Sequence, residues 1–361
     1  MSPQLISVEQ AGISGIKRKS DPSSISAADF FEPVETLRGL LGDLVSAPAD
    51  RIAFIPSVSY GIGILANNLR LQRGDTVVIL GEDFPSNVYP WMHACTGTGA
   101  NLVTVERPDA QTEQGREWTH RLLETINDKT RVVALGNVHW TDGTMFDLES
   151  IAKRTKEVDS FLVVDGTQSI GALPFDFSAI EPDLLVCAGY KWLMGPYQCG
   201  FAAVGDRLIE SDPFEYNWIN RRNSSHFSNL TDYDLEYQTG ARRFDVGERS
   251  NFVIVPMLTA AVQQLLDWGV PNIETYCRRL TDVLTDSLLG TPYRITEKAS
   301  RPAHLFSIRP QSQDSVPQIC AELEQRRVSV SVRAGGFRIS PHVYNTDDDA
   351  SALVEAFIKA S

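Results

Sequence analysis

The chain is short of cysteine, of positive charge and of long apolar runs, and each shortage excludes something. Its five cysteines, Cys95, Cys187, Cys199, Cys277 and Cys320, are scattered and odd in number, with no C-x-x-C pair. Such spacing supports neither a disulfide framework nor a zinc site, and a reducing compartment fits it best. Lys and Arg number 33 against 46 Asp and Glu, a net charge of −13. With no basic stripe to track phosphates, nucleic acid and anionic membranes are not expected partners. No apolar segment approaches the ~20 residues that span a bilayer. The opening MSPQLISVEQAGISGIKRKS also lacks the apolar core of a secretion signal. The expected localisation is cytoplasmic. There is no G-x-S-x-G elbow to seat a hydrolase serine and no H-x-x-x-H helix to hold a metal, so no metal site is expected.

What remains is an ordinary soluble composition, 42% hydrophobic and 22% charged over 361 residues, long enough for two domains. RIAFIPS (51–57), TVVILG (76–81), NLVTVE (101–106), RVVALGNV (131–138), FLVVDG (161–166) and DLLVCAG (183–189) read as strands. Several are continuous apolar runs, as expected where both faces of a parallel sheet are covered. Helical stretches at 60–69, 114–128 and 147–158 alternate with them, which predicts an α/β layered fold with a mostly parallel central sheet. After about residue 255 the texture changes to helices near 257–268 and 272–289, short strands around 303–309 and 328–340, and a last helix at 347–360. The predicted division is an arm (1–15), a large α/β domain (16–255) and a small α+β domain (256–361) that takes in part of the N-terminal segment. The first fifty residues read as irregular apart from a helix at 31–46.

Ligands of open α/β sheets bind beyond the carboxyl ends of the strands, so the polar residues that follow the apolar runs matter most. Asp165 ends FLVVD, where a buried acid is costly unless a positive group meets it. It could equally cap the following turn. Gln168 follows three residues later. Lys191, in AGYKWLMGP, comes one strand further on, where burial could favour its neutral, nucleophilic amine. Ser57, Val58 and Ser59 precede a helix and could hold a phosphate at its positive end, or could simply cap it. Phe84 could stack on a flat ring or belong to the core.

Together these residues resemble the class V aminotransferase family, which includes cysteine desulfurases and isopenicillin N epimerase-like proteins. The resemblance is carried in family order by FIPSVSYGI, EDFPSNVYPW, NVHWTDG, VVDGTQSIGALPFD, AGYKWLMGPYQCGF, RFDVGERSNF and FRISPHVYNT. It implies a fold-type I enzyme dependent on pyridoxal 5'-phosphate. Lys191 would carry the cofactor as an aldimine and shuttle the Cα proton, and Asp165 would keep the pyridine nitrogen protonated so that the ring stabilises a Cα carbanion. Gln168 would bond the ring hydroxyl oxygen and Phe84 would cover the ring. The phosphate would be held by Ser57, the Val58 N–H, Ser59 and the tip of Tyr190. Arg338 would clamp the carboxylate of an amino-acid substrate, with His342 lining its pocket. The resemblance also implies a homodimer in which a second subunit reaches the phosphate, here through Gly247, Glu248 and Arg249.

The chain departs from the family pattern at several points. Glu248 would repel a phosphate, leaving that contact to Arg249 or the adjacent backbone. Ala188 stands where relatives carry a serine, Tyr190 where many have histidine, and Trp140 where desulfurases place an asparagine beside the cofactor. Between Val328 and Ser340 the sequence is VSVSVRAGGFRIS, without the nucleophilic cysteine of a desulfurase. That absence tells against a persulfide-forming desulfurase; the resemblance makes an aminotransferase the default expectation, with a β-eliminating C–S lyase or an epimerase as alternatives. Two other readings fit the residues less well. Gly61-Ile-Gly63-Ile-Leu-Ala66 matches a nicotinamide-binding fingerprint, but SVSY separates its first glycine from the strand and places both glycines inside a helix. A non-catalytic binding protein would have no use for Lys191, Asp165 and Gln168 together.

Overall fold

A computed structural model describes residues 1–109 and 113–360. Its seven-stranded sheet is built from β1 (Ile52–Ile55), β2 (Thr76–Leu80), β3 (Asn101–Val105), β4 (Thr130–Gly136), β5 (Phe161–Asp165), β6 (Leu184–Ala188) and β7 (Gly200–Val204). The helices associated with it are α1 (Ile6–Lys19), α2 (Glu32–Val45), α3 (Val58–Asn68), α4 (Tyr89–Cys95), α5 (Gln114–Thr125), α6 (Leu148–Glu157), α7 (Phe177–Ile180) and α8 (Ile254–Trp268). Strand order is β1-β7-β6-β5-β4-β2-β3. The run from β6 to β3 is parallel, whereas β7 is antiparallel to both β6 and β1.

Alternate residues of the strands feed two separate cores, which explains the unbroken apolar runs. Val78, Leu80, Val133, Leu135, Val164 and Leu185 pack on one face with α2, α5, α6 and α8. Val77, Ile79, Val132, Ala134, Val163 and Val186 pack on the other with α3 and Trp91. α6 shows the local logic: Asp147 caps its first turn by accepting from the Ser150 N–H at 3.1 Å, and Leu148, Ile151, Ala152 and Thr155 form the buried stripe. Gly61 lies within α3, where an added Cβ would stand 2.7 Å from side-chain atoms of Ile55 and Val186, so this glycine sets helix–sheet contact. SVSY separates the strand from that glycine, and no dinucleotide turn forms there.

The remaining elements are α9 (Val270–Ser287), α10 (Val316–Gln325), α11 (Asp347–Lys359) and β8 (Tyr293–Ile295), β9 (Phe306–Pro310), β10 (Ser331–Arg333) and β11 (Gly336–Ile339). They form a four-stranded antiparallel sheet, β10-β11-β9-β8, over a core that includes Phe306, Ile308, Phe337, Ile339, Leu353 and Phe357.

Three expectations change. Residues 6–19 are helical rather than irregular, and α1 runs across the expected limit of the arm at residue 15. Its Gly12 and Gly15, which read as loop residues, lie so close to Met257 and Phe252 that a Cβ would clash, so both serve helix packing. The antiparallel strand β7 was missed altogether, because GFAAV is as apolar as its parallel neighbours. Finally, α8 begins at Ile254, so the expected domain limit at 255/256 falls in its first turn, and Val255, Leu258 and Val262 join the large core.

Candidate active site

The carboxyl ends of β4, β5 and β6 open into a cleft of about 820 Å³, including its mouth. Ser57, Val58, Phe84, Trp140, Asp165, Gln168, Tyr190 and Lys191 all line it. β5 delivers Asp165 at its last residue, 8% exposed. One carboxyl oxygen accepts the Thr167 N–H at 2.9 Å, and no cation lies within ion-pair distance among the described residues. Burial pushes its pKa up, against the opposing pull of Thr167 and Lys191. Such a carboxyl lacks a positive partner, and a protonated ring nitrogen would supply one.

Lys191 sits in the loop after β6. Its Nζ stands 5.2 Å from the centre of the Phe84 ring and 5.9 Å from that of Tyr190. Burial lowers its pKa, Asp165 opposes this, and the Arg338 charge reinforces it. The net shift is downward, toward the neutral amine that attack on a carbonyl requires.

Gln168 is held from two sides. Its Oε1 accepts the Trp192 indole N–H at 3.2 Å, which leaves the amide N–H₂ as the free end, a donor suited to a ring oxygen. Its backbone carbonyl accepts from His304 Nε2 at 2.7 Å, which fixes the tautomer of that buried imidazole. Trp192 adjoins the key lysine in sequence, but nothing local pointed to His304, 136 residues from Gln168.

At the other end of the cleft Ser57 caps α3, its Oγ accepting the Tyr60 N–H at 3.2 Å and lying 3.1 Å from Ser59 Oγ. The cap and a phosphate-binding helix terminus are compatible here. Ser59 is close to this end without lining the cleft. Phe84 and Trp140 meet edge to face at 5.5 Å. Asp83, which the sequence offers among the polar residues after the strands and as the ribose acid of the rejected nicotinamide reading, lines the cleft next to Phe84. Its carboxylate accepts from Phe84 N–H at 2.6 Å and Asn87 Nδ2 at 2.8 Å, and burial raises its pKa to about 7.

Arg338 does not itself line the cleft: it donates from Nη1 to the carbonyl of Trp140, which does, at 3.0 Å, and its charge reaches Lys191. Two expectations are corrected. His342 does not line the cleft: it is fully buried against Trp192 and Tyr344, with ring centres at 5.7 and 5.6 Å. Arg249 is not free to reach a phosphate, because it is buried and donates to Asp245 at 2.8 Å and Asn220 at 2.9 Å. Gly247 donates its N–H to Glu215 at 2.9 Å, and Glu248 is exposed with φ of 58°.

Burial lowers the His342 pKa from 6.5 to about 4. The unfolded chain therefore takes up this proton as pH falls below 6.5, while the folded chain resists until about 4, and stability is lost across that window. Relative to wild type, His342→Leu should become more favourable by roughly 2 kcal/mol between about pH 7 and 5. Urea unfolding at the two pH values measures this, and a constant difference would refute it.

A family model for class V aminotransferases matches residues 22–353. The uncharacterized aminotransferase YcbU of Bacillus subtilis is 26% identical over 91% of this chain and 84% of its own. A probable cysteine desulfurase of Methanothermobacter thermautotrophicus is 28% identical over 89% of this chain and 82% of its own. Among solved structures, the cystine C–S lyase C-DES in complex with its product cysteine persulfide superposes with a TM-score of 0.86 at 19% identity, covering 98% of this chain and 94% of that one. A cysteine desulfurase from Thermococcus onnurineus gives 0.82 at 18% identity, covering 99% and 92%. The cleft, with its lysine, its partnerless buried carboxyl and its helix terminus, fits the cofactor that the matched family uses. The chain belongs to the class V aminotransferase family and is a pyridoxal-phosphate-dependent enzyme.

Proposed function

We propose that the protein is an aminotransferase for a carboxylate-bearing amino acid. The observation that carries this reading is the meeting, in one cleft, of a lysine drawn toward its neutral form and a buried carboxyl without a cation. Bound pyridoxal phosphate supplies the electron sink that makes a Cα–H bond breakable. Lys191, once its amine is free, takes the Cα proton and returns it. Asp165 holds the proton on the ring nitrogen, and the Gln168 amide donates to the ring oxygen. Ser57, Val58 and the first turn of α3 hold the phosphate, with Ser59 and Tyr190 beside them. Phe84 and Trp140 wall the cleft and exclude water. Arg338 orients the substrate carboxylate.

A desulfurase that stores sulfur on a cysteine is not favoured. The turn between β10 and β11 carries no thiol, and burial raises the pKa of Cys199, which lines the cleft, to about 12. A β-eliminating C–S lyase is the second reading, supported by the relatives named desulfurases and by the likeness to a cystine C–S lyase. It needs no protein thiolate. A homodimer is also proposed: Tyr197 on the cleft rim and Phe214 against Tyr60 expose large aromatic surfaces that a second copy would cover.

The test is a visible spectrum of the cofactor-loaded protein with a panel of amino acids and no keto-acid acceptor. Stoichiometric conversion to a pyridoxamine form identifies an aminotransferase and its donor. A cofactor band that persists while keto acid and ammonia accumulate identifies the lyase. No band after adding pyridoxal phosphate would overturn both, and a monomer mass for the same sample would overturn the dimer.

A further inference from the structure

The small sheet has two unlike faces. Phe306, Ile308, Phe337 and Ile339 point into its core. The opposite face, by strand register, carries Arg309, Arg333 and Arg338. Arg338 donates to the carbonyl of Trp140, and the Arg333 guanidinium lies 5.9 Å from the centre of the Trp140 ring. Trp140 itself lines the cleft, so two cations contact one wall residue from outside the lining.

Neither Arg333 nor Arg338 has an acidic partner within ion-pair distance among the described residues. Arg338 Nε is buried without a hydrogen-bond partner, and Arg333 donates only to the carbonyl of its own neighbour, Val332. Arg309, on the same face, reaches a carboxylate only at 3.9 Å, that of Asp142, which Arg107 already holds. Like charges on one sheet face, close enough that Arg333 helps burial to lower the Arg338 pKa, cost free energy that a bound anion would relieve.

One guanidinium suffices for an α-carboxylate, and under the proposed function Arg338 has that task. We propose that Arg333 reads a second, distal carboxylate, so that the preferred substrates are amino acids whose far end is also anionic. Trp140 separates the two guanidiniums and acts as the spacer between the anionic groups. This assignment rests on the reading of the cleft as an amino-acid site. It makes Arg333 a specificity determinant with no part in proton transfer.

The test uses unreactive probes, so that its outcome is independent of turnover. Succinate and butyrate, matched in carbon number, are titrated calorimetrically into the cofactor-loaded protein. Succinate should bind about tenfold more tightly, the worth of one added charge-assisted guanidinium contact. In Arg333→Gln the two should bind equally, with butyrate affinity unchanged. Arg333→Glu should favour butyrate. Equal binding by the wild type, or a succinate preference that survives Arg333→Gln, would overturn the assignment. Failure of the amino-acid panel to change the cofactor spectrum would instead overturn the function on which it rests.

Discussion

Replacing Lys191 with alanine removes the covalent link between protein and cofactor, and turnover falls by about 10⁴-fold or more. One residue holds two tasks here, nucleophilic attachment and proton transfer, and positioned proton transfer alone is worth about 10²–10⁴. The fold should be unaffected. The Lys191 side chain forms no ion pair within the described residues, while its backbone carbonyl, which accepts from Ser2 Oγ at 2.7 Å and Met194 N–H at 3.0 Å, is retained in alanine. Two measurements check this: visible absorbance after gel filtration of the loaded variant, and its thermal midpoint. Normal turnover by the variant would refute the role of the lysine. Lost turnover together with a collapsed midpoint would show that Lys191 is structural.

Asp245→Asn should destabilise the protein by about 3–5 kcal/mol, the usual loss when a buried ion network is broken on one side. Its carboxylate accepts from Arg38 Nη2 at 2.7 Å, Arg249 Nη1 at 2.8 Å and Phe54 N–H at 2.7 Å. The charged side chains are 0–1% exposed. Burial opposes the charge on both guanidiniums. Asp245 and Glu35 together outweigh it at Arg38, whose pKa is raised, whereas burial prevails at Arg249, whose pKa is lowered. Asp245 is thus shared by two cations; Arg38 keeps Glu35 at 3.0 Å, but an amide at position 245 leaves Arg249 with no ion-pair partner among the described residues. The network also covers the outer edge of β1, whose Ile52 carbonyl accepts from Arg38. Since β1 leads directly into Ser57 and α3, loosening it should weaken cofactor binding along with stability. Urea unfolding with and without pyridoxal phosphate tests both effects, and a loss below about 1 kcal/mol would show that the pair is expendable.

Much of the cleft was legible because it is local. A strand buried on both faces announces itself as an apolar run, and the residue at its carboxyl end must point into the crevice, which brought Asp165, Gln168 and Lys191 together on the page before any coordinates. The helices α3, α5, α6, α8, α9 and α11 followed from periodicity and caps. The misses share a cause in contacts between distant segments. Gly12 and Gly15 fall in a stretch that reads as irregular until Met257 and Phe252 are packed against them, and β7 goes unread until its antiparallel pairing with β1 and β6 is seen. Arg249 looked available because a motif shows which residue is present and not that Asp245 and Asn220 already hold it.

By itself the sequence determined the α/β architecture and which polar groups, Asp165 and Lys191 among them, stand at the strand ends, because spacing along a chain fixes which groups follow which strand. Only the tertiary structure decided how those groups are tuned. The indole of Trp192 and the imidazole of His304 orient Gln168, and burial shifts Lys191 and Asp165 toward their neutral forms. The small sheet turns Arg333 and Arg338 toward Trp140. These effects depend on solvent exclusion and on contacts between separate segments, most of them more than a hundred residues apart, and no pattern along the chain encodes either.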